Sequence, residues 1–296
     1  MKTPIFTGSC TAIITPYDHD GSINFNKMAE LINFQAENGT AALVVCGTTG
    51  ENATQTVEEH EEIVDFCTQH NNGRMKIIAG IGSNDTMTAL RLGKSAMKSG
   101  ADAVLMITPY YNKATQQGLV KHFSYVADRV DLPMILYNVP SRTGVGISVD
   151  TYKELSKHPN INGIKEASSD FTLFARTRAV CGDDMNIWCG NDDQIVPMMS
   201  LGALGVISVA SNIVPAQVAE ICRLCLDGNF ADGAKLFLEY VELFSDLFIE
   251  VNPIPVKTAM NLMGMDVGTF RLPLCDMYPN NLEKLKAAMR KNALIQ

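Results

Sequence analysis

The sequence predicts a (β/α)8 barrel carrying a helical extension after its last helix. Three observations carry that prediction. Short runs rich in Val and Ile alternate eight times with longer stretches of helical period. Gly, Asn, Asp and Pro separate the runs. After residue 227 strand signals stop and only helical periodicity continues. A doubly wound sheet more often shows about five or six strands, so the count favours the barrel. The chain has 296 residues, and barrels of this kind run to about 250 residues as one unit. We therefore divide it into residues 1–227, a barrel carrying the active site, and 228–296, a helical region packed on it.

The strands are expected at 9–15, 41–46, 76–81, 102–107, 133–138, 161–165, 186–190 and 204–209. Each is a short apolar run bounded by turn residues. The helices between them fall at 26–38, 56–70, 86–99, 116–130, 149–157, 171–181, 193–201 and 215–227. Several begin with a physical start signal. Thr56 and Glu59 have capping-box spacing, Asp170 can cap the helix that follows it, and Pro215 suits a first turn. The tail reads as helices at 230–249, 253–264 and 281–293.

Composition narrows the class of partner. A net charge of −8 and a pI near 5.2 leave no basic field for nucleic acid or an anionic membrane. The N-terminal stretch lacks a secretory apolar core, and no run of eighteen apolar residues occurs, so a soluble cytoplasmic protein is expected. Eight scattered cysteines, several inside apolar runs, fit reduced buried thiols.

In such barrels the active site lies at the C-terminal ends of the strands. Lys165 ends the sixth strand and shares alternation parity with Ile161 and Gly163. A lysine facing the packed interior is poorly hydrated, which favours the neutral amine that attacks a ketone. A lysine snorkelling from a strand end would show the same spacing. Tyr137 ends the fifth strand and could relay protons with Thr48 or another hydroxyl as partner, or be a core tyrosine. Gly47-Thr48-Thr49-Gly50-Glu51 follows strand two; its backbone and hydroxyls could bind a carboxylate, or form an ordinary turn in which Glu51 favours a helix start. Arg142 lies in a Pro-Ser-Arg-Thr-Gly loop and could clamp a second carboxylate, or be a surface arginine.

Other features are set aside. Cys222 and Cys225 have redox spacing but sit at a helix end. The acidic run around His60 is not a zinc motif, and Asp183-Asp184 and Asp192-Asp193 read as loop acids with no metal shell. No metal or cofactor is expected.

Taken in order, Gly47–Glu51, Tyr137-Asn138-Val139-Pro140-Ser141-Arg142-Thr143-Gly144, Gly163-Ile164-Lys165-Glu166 and Asn252-Pro253-Ile254-Pro255-Val256-Lys257 resemble the dihydrodipicolinate synthase and N-acetylneuraminate lyase superfamily. Thr108-Pro109-Tyr110-Tyr111-Asn112 and Gly205-Val206-Ile207-Ser208-Val209 match too, and the likeness runs from about residue 5 to 275. The resemblance implies a Schiff base between Lys165 and pyruvate, with Tyr137 relaying protons through Thr48 to Tyr111. It further implies that Tyr111 reaches in from a neighbouring subunit of a homotetramer built as a dimer of dimers. Thr48 and Thr49 would bind the pyruvate carboxylate, with backbone near Gly190 and Ile207 completing the pocket. Arg142 would hold the carboxylate of L-aspartate 4-semialdehyde, the co-substrate on the diaminopimelate route to lysine.

The positions matching the family's lysine-feedback cleft are Asn52, Ala53, Val57, His60, Asn84, Thr88 and Tyr110. Lysine-inhibited bacterial members commonly place a carboxylate where Thr88 stands and a polar ring where Val57 stands, so weak or absent feedback is expected. The rival within the family is an aldolase of N-acetylneuraminate or a 2-keto-3-deoxy sugar acid, which would need hydroxyl-binding donors in place of Arg142. From other classes, a phosphate-handling barrel isomerase would need a glycine-rich site near strands seven and eight, of which Gly202–Gly205 is a faint echo. A non-catalytic binding protein would need neither Lys165 nor Tyr137.

Overall fold

The computed structural model describes residues 2–296. Eight parallel strands close in sequence order into one barrel, β8 pairing back onto β1. They are β1 Gly8–Ala12, β2 Ala42–Val45, β3 Lys76–Gly80, β4 Ala103–Ile107, β5 Met134–Asn138, β6 Ile161–Glu166, β7 Asn186–Cys189 and β8 Gly205–Ser208. The helices are α1 Phe25–Glu37, α2 Val57–Asn71, α3 Thr86–Ser99, α4 Gln116–Ala127, α5 Pro140–Thr143, α6 Val149–Leu155, α7 Phe171–Cys181, α8 Ile195–Ser200 and α9 Pro215–Leu226. Beyond them α10 Phe230–Asp246, α11 Ile254–Leu262 and α12 Pro279–Lys291 form the tail.

The start signals act as the sequence suggested. Thr56 and Glu59 complete a reciprocal capping box on α2, Asp170 accepts from the Leu173 N–H at the start of α7, and Pro215 opens α9. One expectation fails. The segment carrying Arg142 is a helical turn, α5, entered at Pro140 and closed by Gly144 at φ 71, rather than an open loop.

Alternate residues of each strand point into the barrel, where they form a core of their own. Trp188 is fully buried there, stacks on Phe6 with ring centroids 4.9 Å apart, and donates from its indole nitrogen to the Phe6 carbonyl. Gly163 makes room for it, since a Cβ at 163 would lie 2.6 Å from the indole. The inward set therefore fills the barrel below Lys165. The outward residues pack against the helices in a second, larger core.

Candidate active site

Lys165 and Tyr137 face each other across the β5–β6 ladder, and Lys165 is in register with Trp188 on the other side. The Lys165 Nζ lies 4.4 Å from the centre of the Tyr137 ring, and the residue is 5% exposed. A lysine that snorkels into solvent would not be so covered, so the inward alternative holds. The amine sits on the plugged interior, at the mouth end of the strand.

Tyr137 also walls a cleft of about 750 Å³, its open mouth included. Its walls include Thr48, Tyr137 and Arg142, and also Asn52, Ala53 and Tyr110 from the matched feedback positions. Lys165, Thr49 and Ile207 are buried and do not line this open part. Ile207 belongs to the inward core beside Trp188. The Gly190 N–H is committed to the Glu166 carbonyl at 2.7 Å, and a Cβ at 190 would lie 2.7 Å from that of Ala167, so what Gly190 has left for a ligand is its carbonyl.

The segment after β2 owes its path to two tight constraints. Cys46 adopts φ 54, which turns the chain at the strand end into Gly47-Thr48-Thr49. The Cys46 carbonyl then presses on β3, and a Cβ at Gly80 would sit 2.4 Å from it. Burial pushes the Cys46 thiol well above its ordinary pKa, so it is no nucleophile despite lining the cleft.

Glu51 does stand at a helix start, before the short helical turn Asn52–Thr54, but its side chain makes no cap there. It stands at φ 57, and its carboxylate is buried against Lys257 of α11, Nζ to Oε1 2.8 Å, with 0% and 1% of the two side chains exposed. Lys257 also donates to the Thr15 carbonyl at 3.1 Å and to the Thr269 carbonyl. Arg271 adds its backbone N–H to Glu51 Oε2 at 3.2 Å and its guanidinium to Glu59. The tail thus fastens the segment bearing Thr48 and Thr49. Asn252 joins in: its Nδ2 donates to Thr49 Oγ1 at 2.9 Å, while its carbonyl accepts from the Arg142 guanidinium at 3.3 Å.

Asp192 has a role that the reading as a loop acid does not contain. It lies in the turn after β7, as a loop acid would, yet it is buried, accepting from the Val209 and Ala210 N–H groups at 2.9 Å each and so tying the end of β7 to that of β8. Burial raises its carboxyl above the usual range, while hydrogen bonds pull the other way. On the outward side of the Tyr137–Lys165 pair, the buried Glu166 accepts from both Asn138 at 3.0 Å and Tyr152 at 3.1 Å, and from the Ser168 N–H. Its carboxyl is likewise raised by burial.

Tyr111 is 93% exposed, stands at φ 69 and does not line the cleft. Of the feedback positions outside the cleft wall, His60 is buried with Nε2 2.6 Å from the Gly80 carbonyl, and burial lowers its pKa. Val57 opens α2, the Asn84 carbonyl accepts from Asn112, and Thr88 donates to the α3 cap Asp85. Cys222 and Cys225 are free and buried. Among the described residues, no three His, Cys, Asp or Glu side chains are grouped to hold a metal, and no helix is long and apolar enough to cross a membrane.

Residues 5–292 match the model of the dihydrodipicolinate synthetase family. A 4-hydroxy-tetrahydrodipicolinate synthase of Clostridium novyi is 49% identical over 285 residues, 96% of either chain. The dihydrodipicolinate synthase of Aquifex aeolicus is 45% identical, with a TM-score of 0.95 over 98% of this chain and 99% of that one. A chloride-inhibited dihydrodipicolinate synthase of Acinetobacter baumannii, complexed with pyruvate, is 40% identical, again at TM-score 0.95, covering 98% and 99%.

Proposed function

We infer the reaction from one premise: the chain belongs to the dihydrodipicolinate synthetase family. It is a lyase that makes 4-hydroxy-tetrahydrodipicolinate by condensing pyruvate with L-aspartate 4-semialdehyde, a step of lysine biosynthesis.

The assignment of roles within the site is our own reading. The Lys165 amine adds to the pyruvate ketone and expels water, forming a C=N bond. The resulting iminium withdraws electrons, so the pyruvate methyl loses a proton and becomes an enamine carbon nucleophile. That carbon bonds to the aldehyde carbon of the semialdehyde. The semialdehyde amine then closes the ring on the imine carbon and releases the lysine. Tyr137 relays the protons, with Thr48 and Tyr111 as the further hydroxyls. Thr48 and Thr49 hold the pyruvate carboxylate beside Gly190 and Ile207, and Arg142 takes the second carboxylate at the cleft wall. The observation that carries this reading is the inward, covered Lys165 amine 4.4 Å from the Tyr137 ring.

We also read the chain as a homotetramer in the cytoplasm. The bare ring of Tyr111 supports the first, because a relay hydroxyl at that position needs a neighbouring subunit to bring it to a site. Eight free cysteines, seven of them buried, support the second. Residues 228–296 serve in this reading as a helical region that braces the barrel, supported by the Lys257 contact with Glu51.

Reduction with borohydride in the presence of pyruvate, followed by peptide mapping, tests the mechanism. A pyruvyl adduct on the peptide containing Lys165 is expected, and Lys165→Arg should abolish it. An adduct on another lysine, or none, removes the mechanism. Cleavage of sugar acids in preference to condensation would move the chain to the aldolase branch.

A further inference from the structure

We propose that the Asn252 side chain orients the Thr49 hydroxyl toward the substrate carboxylate, making Asn252 a positioning residue for pyruvate capture. The inference rests on the reading that Thr49 binds that carboxylate. A hydroxyl has one proton to give and two lone pairs to fill. The Asn252 Nδ2 fills a lone pair of Thr49 Oγ1 at 2.9 Å. Among the described residues no group accepts the Thr49 proton. With the Asn252 Nδ2 donating to it, the hydroxyl keeps its own proton to give, and we assign that proton to an anionic oxygen of the substrate. Both residues are buried, at 5% and 2% exposure, so no bulk water competes for that orientation.

Asn252 enters from the chain between α10 and α11, 203 positions beyond Thr49. Its own carbonyl accepts from the Arg142 guanidinium at 3.3 Å. One residue thus touches the two groups assigned to the two substrate carboxylates, by its side chain in one case and its main chain in the other. This division allows the two contacts to be separated by experiment. Replacing the side chain removes the Thr49 contact and leaves the Arg142 contact in place.

The test is steady-state kinetics on the full-length protein for Asn252→Ala, Thr49→Val and the double variant, with Thr49→Ser as a background that keeps the hydroxyl. Asn252→Ala should raise the KM for pyruvate about five- to tenfold, the usual effect of one oriented hydrogen bond. The KM for the semialdehyde should stay within about twofold, since its clamp touches only the Asn252 carbonyl. The pyruvate effect should persist in the Thr49→Ser background and vanish in the Thr49→Val background. A merely structural role would raise both KM values together and would act in either background. Asn252→Ser is measured in parallel, so that a folding failure of the alanine variant leaves the result readable. An unchanged pyruvate KM, a joint rise, or a rise that survives Thr49→Val overturns the proposal. Borohydride mapping of the unmodified protein separates the levels: an adduct on Lys165 with an unmoved KM sinks this inference alone, and no adduct sinks the reading beneath it as well.

Discussion

Replacing Lys257 by Met should cost about 3–5 kcal/mol of stability, the usual penalty for stripping one partner from a buried ion pair. The structure accounts for the size. The Nζ–Oε1 separation of 2.8 Å corresponds to an attraction of about 6 kcal/mol at an effective dielectric constant near 20. Desolvation of the pair offsets part of it, and burial lowers the Lys257 pKa even though Glu51 pulls it up. Methionine fills a similar volume, so cavity formation adds little. What remains after the substitution is the buried Glu51 carboxylate, with the Arg271 N–H at 3.2 Å as its remaining hydrogen-bond donor among the described residues, and the Thr15 and Thr269 carbonyls deprived of an ammonium. The melting temperature should fall by roughly 6–20 °C, taking about 2–4 °C per kcal/mol for a chain of this size. Adding Glu51→Gln should recover part of the loss, because the uncompensated charge disappears with it. Thermal and urea denaturation at one fixed protein concentration would measure both, since the proposed assembly would make the midpoint depend on concentration. A Lys257→Met variant within about 1 kcal/mol of the parent, or a double variant worse than either single one, would refute this account of the pair.

Three further outcomes are expected. Arg142→Ala should raise the KM for the semialdehyde about 10- to 100-fold with little change in pyruvate KM, as loss of a charge-assisted carboxylate contact requires; steady-state kinetics with each substrate varied would show it, and a rise confined to pyruvate would misassign the arginine. His122 is held neutral by burial, with its pKa near 4 despite the pull of Asp85, and its Nδ1 meets Thr86 Oγ1 at 2.8 Å. The unfolded chain takes up that proton near pH 6.5, so stability should fall by about 3 kcal/mol between about pH 6.5 and 4 and level off below; urea titrations across that window should show a shallower slope for His122→Gln. Because Thr88 offers a hydroxyl engaged with Asp85 and no carboxylate, L-lysine at about 1 mM should inhibit weakly or not at all; strong inhibition below that concentration in an initial-rate assay would defeat the expectation.

The barrel was legible because its signal is local. Val- and Ile-rich runs with period two, capping residues at the right offset and the loss of strand signal after residue 227 each operate over a few residues. Lys165 and Tyr137 were legible as strand-end residues, but parity along β5 and β6 gives two faces without saying which is inward, and only the closed barrel decides it. What stayed hidden depends on pairs far apart in sequence. Glu51 looks like a helix-start acid until Lys257 arrives 206 positions later. Asp192 looks like a loop acid until the chain returns at Val209 to donate to it. No periodicity encodes either contact. The one hint was the Asn252–Lys257 motif, whose side chains at the two ends meet Thr49 and Glu51.

The strands that present Tyr137 and Lys165 inward carry Asn138 and Glu166 on their reverse side, joined to each other and to Tyr152. A scan that scores only loss of turnover will therefore pick out Glu166 beside Lys165, although one would be silenced by a shifted strand and the other, in the proposed mechanism, by a missing nucleophile. Trapping pyruvate on the amine distinguishes them, because a displaced lysine still reacts slowly where an absent one never does. Anyone redesigning this pocket should treat the reverse side of β5 and β6 as part of it.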